Sequence, residues 1–501
     1  MTRLFLSSTA LALSLIAGMA QAADLRIALQ DDPDMLDPAQ SRSFVGRIVY
    51  ASLCDKLVDL NQNAEIVPML ATDWSTSEDG LKLVLNLREG VKFHDGEPMD
   101  AAAVAYTLNR NLTLKESRRK SELGSVEKVE ATGPLQVTLT LKAPDASLLA
   151  QLSDRAGMIV SPKAAEAAGA DFGLKPVCAG PFKFVERIAQ DRIVLERFAD
   201  YWDKDRIHFD KVTFVPIPDT TVRLANLQSG DVHLVDRIAA TDAEAVRQNS
   251  ALGYAEVVGL GSMGIYVNTG FGPKADNVMA KSVELRQAFS AAIDREAINQ
   301  VVFSGTALPG NQPWSPVSPW YNADIPVQPR DIERAKALVK AAGHDRVQVQ
   351  LEHHNNPVVT QTMQMIQAMV AEAGFDVQLV STEFATLLTM QQEGNYVMSR
   401  GDWSGRADPD GNTHAFYHSK GGLNNFGYSN PEVDRLLDEA RALSDPESRK
   451  QKYAEFASII TQELPIITLG HQKFLYGFTT KLEGFQAYPD AMIRLQDVKL
   501  Q

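Results

Sequence analysis

Two hydrophobic periods divide this chain. Leu81, Leu83, Leu85 and Leu87 stand at every second position, with polar residues between them except at Val84. Leu135, Val137, Leu139 and Leu141 repeat the pattern behind a Gly133-Pro134 turn; Phe182/Phe184 and Ile193/Leu195 continue it, and Asp24 to Leu29 alternates until Asp37-Pro38 ends the run. A period of two buries one face of a strand and wets the other, so the first half reads as half-buried strands in antiparallel or mixed sheet. One helix interrupts them near 100–112, with Asp100 placed to cap it. From Leu285 the spacing turns helical, through Ala288, Phe289, Ala292, Ile293, Ile298, Val301 and Val302. Asp331 caps a helix that Gly343 stops, Val347-Val349-Leu351 alternate, Thr360 opens a helix to Gly374, and Val377-Leu379 alternate again. That order is a βαβ-type layered unit. Two amphipathic helices follow near 431–443 and 448–460. At 501 residues and 45% hydrophobic the chain outgrows a single core and should hold two or three packed units. With no repeat and no tether-like linker, they organise as two α/β lobes sharing a hinge.

The first residues predict export. Arg3 precedes an uncharged run from Leu4 to Ala20, and Ala20-Gln21-Ala22 offers small residues for cleavage, so 1–22 is expected to be a secretory signal peptide. In an oxidising compartment the two cysteines, Cys54 and Cys178, are a disulfide candidate, with buried free thiols as the alternative. The net charge of −14 and the lack of a basic run argue against nucleic acid as a partner.

Chemical motifs are weak. Gly259-Leu260-Gly261-Ser262-Met263-Gly264 matches G-x-G-x-x-G, but a pyrophosphate needs a helix N-terminus after the glycines, and Ile265-Tyr266-Val267-Asn268 alternates like a strand. A crossing between lobes fits better. Asp408-Pro409-Asp410-Gly411 has its glycine too early for a calcium loop. Glu352-His353-His354 would point to opposite faces of a strand, and the nine histidines read as dispersed surface residues, so neither a metal nor a cofactor is expected. Among 63 acids any carboxylate spacing occurs, so paired acids identify no hydrolase.

Several stretches in order resemble the family 5 extracellular solute-binding proteins: Ile66–Trp74, Leu87-Arg88-Glu89-Gly90-Val91-Lys92-Phe93-His94-Asp95-Gly96-Glu97-Pro98, Ala179-Gly180-Pro181-Phe182, Ala199–Trp202, Phe209–Val212, Leu227–Val232 and Leu285–Arg295. The resemblance implies a two-lobe periplasmic-binding-protein (Venus-flytrap) fold. Lobe I would take 23–260, including an extra strand-rich subdomain about 60–175, and again 473–501; lobe II would take 261–472. It implies a periplasmic, non-enzymatic function, capture of a peptide-like or other carboxylate-bearing solute and delivery to an ABC permease and ATPase. A secreted hydrolase, or a receptor for metal or haem complexes, are the alternatives.

Peptide-binding members carry a lobe II Trp followed three residues later by an Asp that pairs with the ligand's amine. Here Trp403 is followed by Arg406. A guanidinium repels an ammonium and matches a carboxylate, so an anionic ligand group is expected at Arg406, unless Asp402, Asp408 or Asp410 pairs with it internally. Trp403 is expected as a cleft wall and Asp408 as a further contact. Ser43 and Phe44 are expected from lobe I, with a helix cap as the plainer role for Ser43, and Tyr266 and Asn268 from the start of lobe II.

Overall fold

The computed structural model describes residues 24–501, and the expected signal peptide lies outside the described residues. Three sheets organise the chain. A seven-stranded mixed sheet runs in the order Leu252–Val258, Lys473–Thr479, Leu234–Val235, Asp24–Leu29, Lys211–Pro216, Arg192–Arg197, Phe182–Ile188. Its centre, Asp24–Leu29, is parallel to both neighbours, which buries it on two faces; Leu25, Ile27, Ala28 and Leu29 are fully buried.

A four-stranded antiparallel sheet holds the Leu-rich alternations, Ala71–Thr76, Lys82–Leu87, Gln136–Leu141 and Val126–Gly133 in spatial order. Leu83 opposes Leu139 and Leu85 opposes Val137, so the period-two residues meet on one face. They form a core of their own with Val104 and Leu108 of the helix Ala101–Thr113, whose first turn Asp100 caps through the amide of Ala103. Burial of that face is what stabilises the unit, at roughly 1.5–3 kcal/mol per large side chain.

A third sheet has the order Leu308–Pro309, Ile466–His471, Ser262–Val267, Met398–Trp403, Val347–His354, Phe375–Thr382. Val347–His354 and Phe375–Thr382 run parallel, joined by the helix Pro357–Ala371 as a βαβ unit. That helix starts before Thr360: Asn356 accepts from the amides of Val358 and Val359, and Pro357, which has no amide to satisfy, fills the first helical position. The helical spacing from Leu285 to Val302 is two helices, Val283–Ala291 and Arg295–Phe303, because Asp294 caps the second through Ala297.

The chain changes sheet twice. Leu252–Val258 lies in the first sheet and Ser262–Val267 in the third; Ile466–His471 lies in the third and Lys473–Thr479 in the first. The two crossings are tied to each other: the Gly259 amide donates to Gln472 O at 2.9 Å, and His471 Nδ1 bonds Gly261 O at 2.7 Å. Burial holds the His471 imidazole neutral by lowering its pKa to about 4. We call the unit of the first two sheets lobe I and that of the third lobe II. Cys54, at the end of the helix Phe44–Leu53, is disulfide-bonded to Cys178. Among the described residues no helix is long and apolar enough to cross a membrane.

Candidate functional site

Open sheets with parallel strands present their ligand crevice at the strands' C-terminal ends. In lobe I the chain leaves Asp24–Leu29 there, loops to Ser43 and enters the helix Phe44–Leu53. In lobe II the strand Met398–Trp403 ends at Trp403, and the following loop carries Arg406 into the helix Asp410–Tyr417. Glycine lets this loop sit against the lobe crossing: a Cβ on Gly405, whose φ is +81°, would collide with the Leu260 backbone, and one on Gly261 with the Trp403 carbonyl.

Arg406 is buried at 6% exposure, and its Nε reaches across to lobe I, 3.1 Å from Asp154 Oδ2. The internal partners Asp402, Asp408 and Asp410 do not hold it. Asp154 is shared: Arg47 Nε donates to Oδ1 at 3.0 Å and Arg47 Nη2 lies 3.0 Å from Oδ2. Arg155 Nη1 donates to Ser41 O at 2.9 Å, and Arg119 bonds Ser41 O and pairs with Glu122. Burial opposes ionisation of Asp154, but Arg47, then Arg406, Arg155 and Arg119, hold its carboxyl well below the usual range. Four guanidinium groups against the carboxylates of Asp154 and Glu122 leave a positive excess in a site shielded from water. Arg47 Nη1, Arg119 Nε and Arg155 Nε are buried donors with no hydrogen-bond partner, a costly state that an acceptor would relieve.

Trp403 forms the floor beneath Arg406. The guanidinium lies 4.4 Å from the indole centroid, the ring meets Phe416 edge-on at 4.9 Å, and Nε1 donates to Asn412 Oδ1 at 2.8 Å. Asn412 Oδ1 also accepts from the Arg406 amide at 2.8 Å, so one side chain orients both residues. Phe44 stacks on Phe474 and lies between Arg47 and Arg237, 5.8 and 4.4 Å from its centroid.

Three expected contacts are differently employed. Both Asp408 oxygens are taken by Arg449 at 2.7 and 2.8 Å, because the helix Pro446–Glu463 packs beside its loop. Asn268 is fully buried; its amide nitrogen donates to Phe271 O, Gly394 O and Tyr396 O, and its oxygen accepts from two backbone amides. Ser43 caps the helix through Gly46 N and donates to Asp34 Oδ1 at 2.7 Å, the plainer of its two roles. Tyr266 packs against Phe416 and Phe426, and its ring covers Gly401. Arg47, Arg119, Asp154 and Arg155 carried no local pattern that singled them out. A surface depression of about 760 Å³ along Gln348–Gln350 and Phe375–Gln378 contains none of the arginine cluster.

Two α/β lobes, two tied crossings and a charged, buried contact where their strand ends meet define a two-lobe binding protein. The model of the bacterial extracellular solute-binding proteins, family 5 (middle region) matches residues 65–424, and the chain belongs to that family. Such proteins are the solute-binding components of ABC importers, working with a membrane permease and an ATPase, and so is this one. The chain is 29% identical over 498 residues to the glutathione-binding protein GsiB of Pectobacterium atrosepticum, covering 96% of this chain and 94% of that one. Among solved structures it is similar to the periplasmic binding protein DppA of Helicobacter pylori in complex with peptide STSA, with a TM-score of 0.86, 24% identity, and 96% and 98% of the two chains covered. It is also similar to AgaA of A. tumefaciens R10 in complex with agropinic acid, with a TM-score of 0.84, 25% identity and 95% and 99% covered.

Proposed function

We propose that the arginine cluster receives an anionic group, a carboxylate first, of a small solute captured between the lobes in the periplasm, and that the site binds without chemical conversion. The carrying observation is the set of three buried arginine donors without partners beside a carboxylate already shared by both lobes. A carboxylate presents the planar pair of acceptors that guanidinium forks match. Glutathione, peptide STSA and agropinic acid, named with the similar proteins, have carboxylates in common. Arg406, Arg155, Arg119 and Arg47 would bind the anion, with Trp403 and Phe44 as apolar walls.

Isothermal titration of the mature protein against glutathione, dipeptides and opine-type acids tests this. A carboxylate ligand should lose at least about tenfold in affinity on Arg406→Glu or Arg155→Gln, since charge-assisted bonds are worth about 1.5–3 kcal/mol each. Equal affinity for the acid and its neutral amide would overturn the assignment.

A further inference from the structure

His414 and His418 depart from the expectation of dispersed histidines. They stand four residues apart at the end of the helix Asp410–Tyr417, the spacing that puts two side chains on one helix face. Their rings stack at 4.4 Å between centroids with planes 13° apart. Both Nε2 atoms face one oxygen of Asp438, on the helix Pro431–Ala442: Oδ1 is 3.2 Å from His414 Nε2 and 3.5 Å from His418 Nε2. All three ligand atoms lie within 4.8 Å of one another. Two ligands held tetrahedrally, each about 2.0–2.1 Å from a zinc-type ion, stand roughly 3.3–3.4 Å apart. The two nitrogen–oxygen separations bracket that value.

We propose that His414, His418 and Asp438 form a site for a borderline divalent ion of the zinc or nickel class, outside the arginine cluster and independent of the solute. The donor set selects the class: two imidazoles with one carboxylate suit Zn²⁺, Ni²⁺ or Cu²⁺, whereas Mg²⁺ and Ca²⁺ require oxygen ligands. Three protein ligands leave a fourth position to water. Asp438 is solvent-exposed, its side chain 63% accessible, so the ion has an entry path.

Binding displaces the proton that each Nε2 presents to Asp438 Oδ1; at His414 it moves to Nδ1. His418 Nδ1 now accepts the Lys420 amide at 3.0 Å, which places its proton on Nε2. An ion at Nε2 moves that proton to Nδ1, which gives up the Lys420 amide, and the Nδ1–H turns toward Asp434 Oδ1, 3.9 Å away. Asp434 would then orient the ligating ring, as carboxylates behind metal-bound histidines do. The ion would staple the same two helices that Arg441 and Asp410 already join by paired bonds of 2.7 and 2.9 Å.

Isothermal titration of EDTA-stripped mature protein with ZnCl₂, repeated with NiCl₂ and MgCl₂, tests the proposal. One Zn²⁺ per chain is expected, lost at least tenfold in His414→Ala and in His418→Gln, with no Mg²⁺ binding and with the far-UV spectrum of both variants unchanged. Asp438→Asn, an isosteric surface change, should weaken binding too and guards against a folding artefact. Absence of saturable Zn²⁺ binding, or equal binding by wild type and all three variants, would overturn it. The solute affinity of the stripped protein should not change, which separates this result from the fate of the anion site.

Discussion

Arg406 of lobe II and Arg47 of lobe I hold the same carboxylate, that of Asp154, at 3.1 and 3.0 Å. Each lobe thus supplies one guanidinium to a single buried acid, and the lobes meet there through charge. The neighbouring contacts are polar too: Ser147 Oγ donates to Asp410 Oδ2 at 3.2 Å and the Ala146 amide to Arg441 O at 2.9 Å. Removing the acid alone strands two arginines.

Asp154→Asn is therefore expected to destabilise the protein by about 3–5 kcal/mol, the usual cost of breaking a buried pair from one side. An added carboxylate ligand should recover more Tm in this variant than in wild type, because it replaces the lost charge. Thermal melts with and without ligand check this; an equal shift in both proteins would contradict the shared-anion arrangement.

Asp55 gives the stability curve a distinct slope. Its carboxyl is fully buried, accepts from Tyr201 Oη at 3.0 Å and Trp202 Nε1 at 2.7 Å, and burial pushes its pKa up to about 7. The folded state therefore keeps a proton that the unfolded state releases near pH 4, so Asp55's contribution falls as pH rises from about 4 to 7 and is level above. The change is on the order of 2–4 kcal/mol. Asp55→Asn, which keeps an acceptor for both donors, should flatten this component in urea melts taken between pH 4 and 8.

Gly405→Ala should destabilise by well over 1 kcal/mol, because φ there is +81° and the new methyl meets the Leu260 backbone. Gly90→Ala, at φ +77° with nothing within 4 Å, carries the backbone penalty alone, about 1 kcal/mol. The gap between the two measures how tightly the Arg406 loop packs on the lobe crossing, and denaturant melts of both variants read it directly.

The Cys54–Cys178 bond closes a loop with a sequence separation of 124. The paired substitution Cys54→Ser with Cys178→Ser should lower stability by at most about 4–5 kcal/mol, the chain-entropy limit for such a loop. A reducing agent should reproduce the loss in wild type and leave the double variant unmoved.

Local patterns and long-range convergence differ in how much they show. The Leu83–Leu87 and Val137–Leu141 strands were legible because a buried face forces a period of two. The crossing at Gly259–Gly261 was legible because an alternating run follows the glycines. Arg406 stood out as a departure from a family pattern, yet its partner Asp154 did not, since no spacing in one sequence brings 154 to 406. The partner of Asp408 was hidden for the same reason: Arg449 lies on a later helix. His414 and His418 show the opposite failure, a helical spacing present in the chain and passed over. The most recognisable segment, around His94, does structural work away from the arginines. His94 Nε2 donates to Gly180 O at 3.0 Å and its Nδ1 accepts the Cys178 amide at 3.3 Å, with burial lowering its pKa to about 4.

The double crossing also sets the order in which the molecule can be completed. Every strand of the third sheet falls between residues 262 and 471, so lobe II can assemble as one uninterrupted stretch of newly made chain. The first lobe cannot. Among the described residues its strand Leu252–Val258 pairs only with Lys473–Thr479, as does the outer edge of Leu234–Val235, and those residues follow the whole of lobe II in the chain. Lobe I is therefore completed after lobe II, and its sheet keeps an open slot until Lys473–Thr479 arrives to fill it.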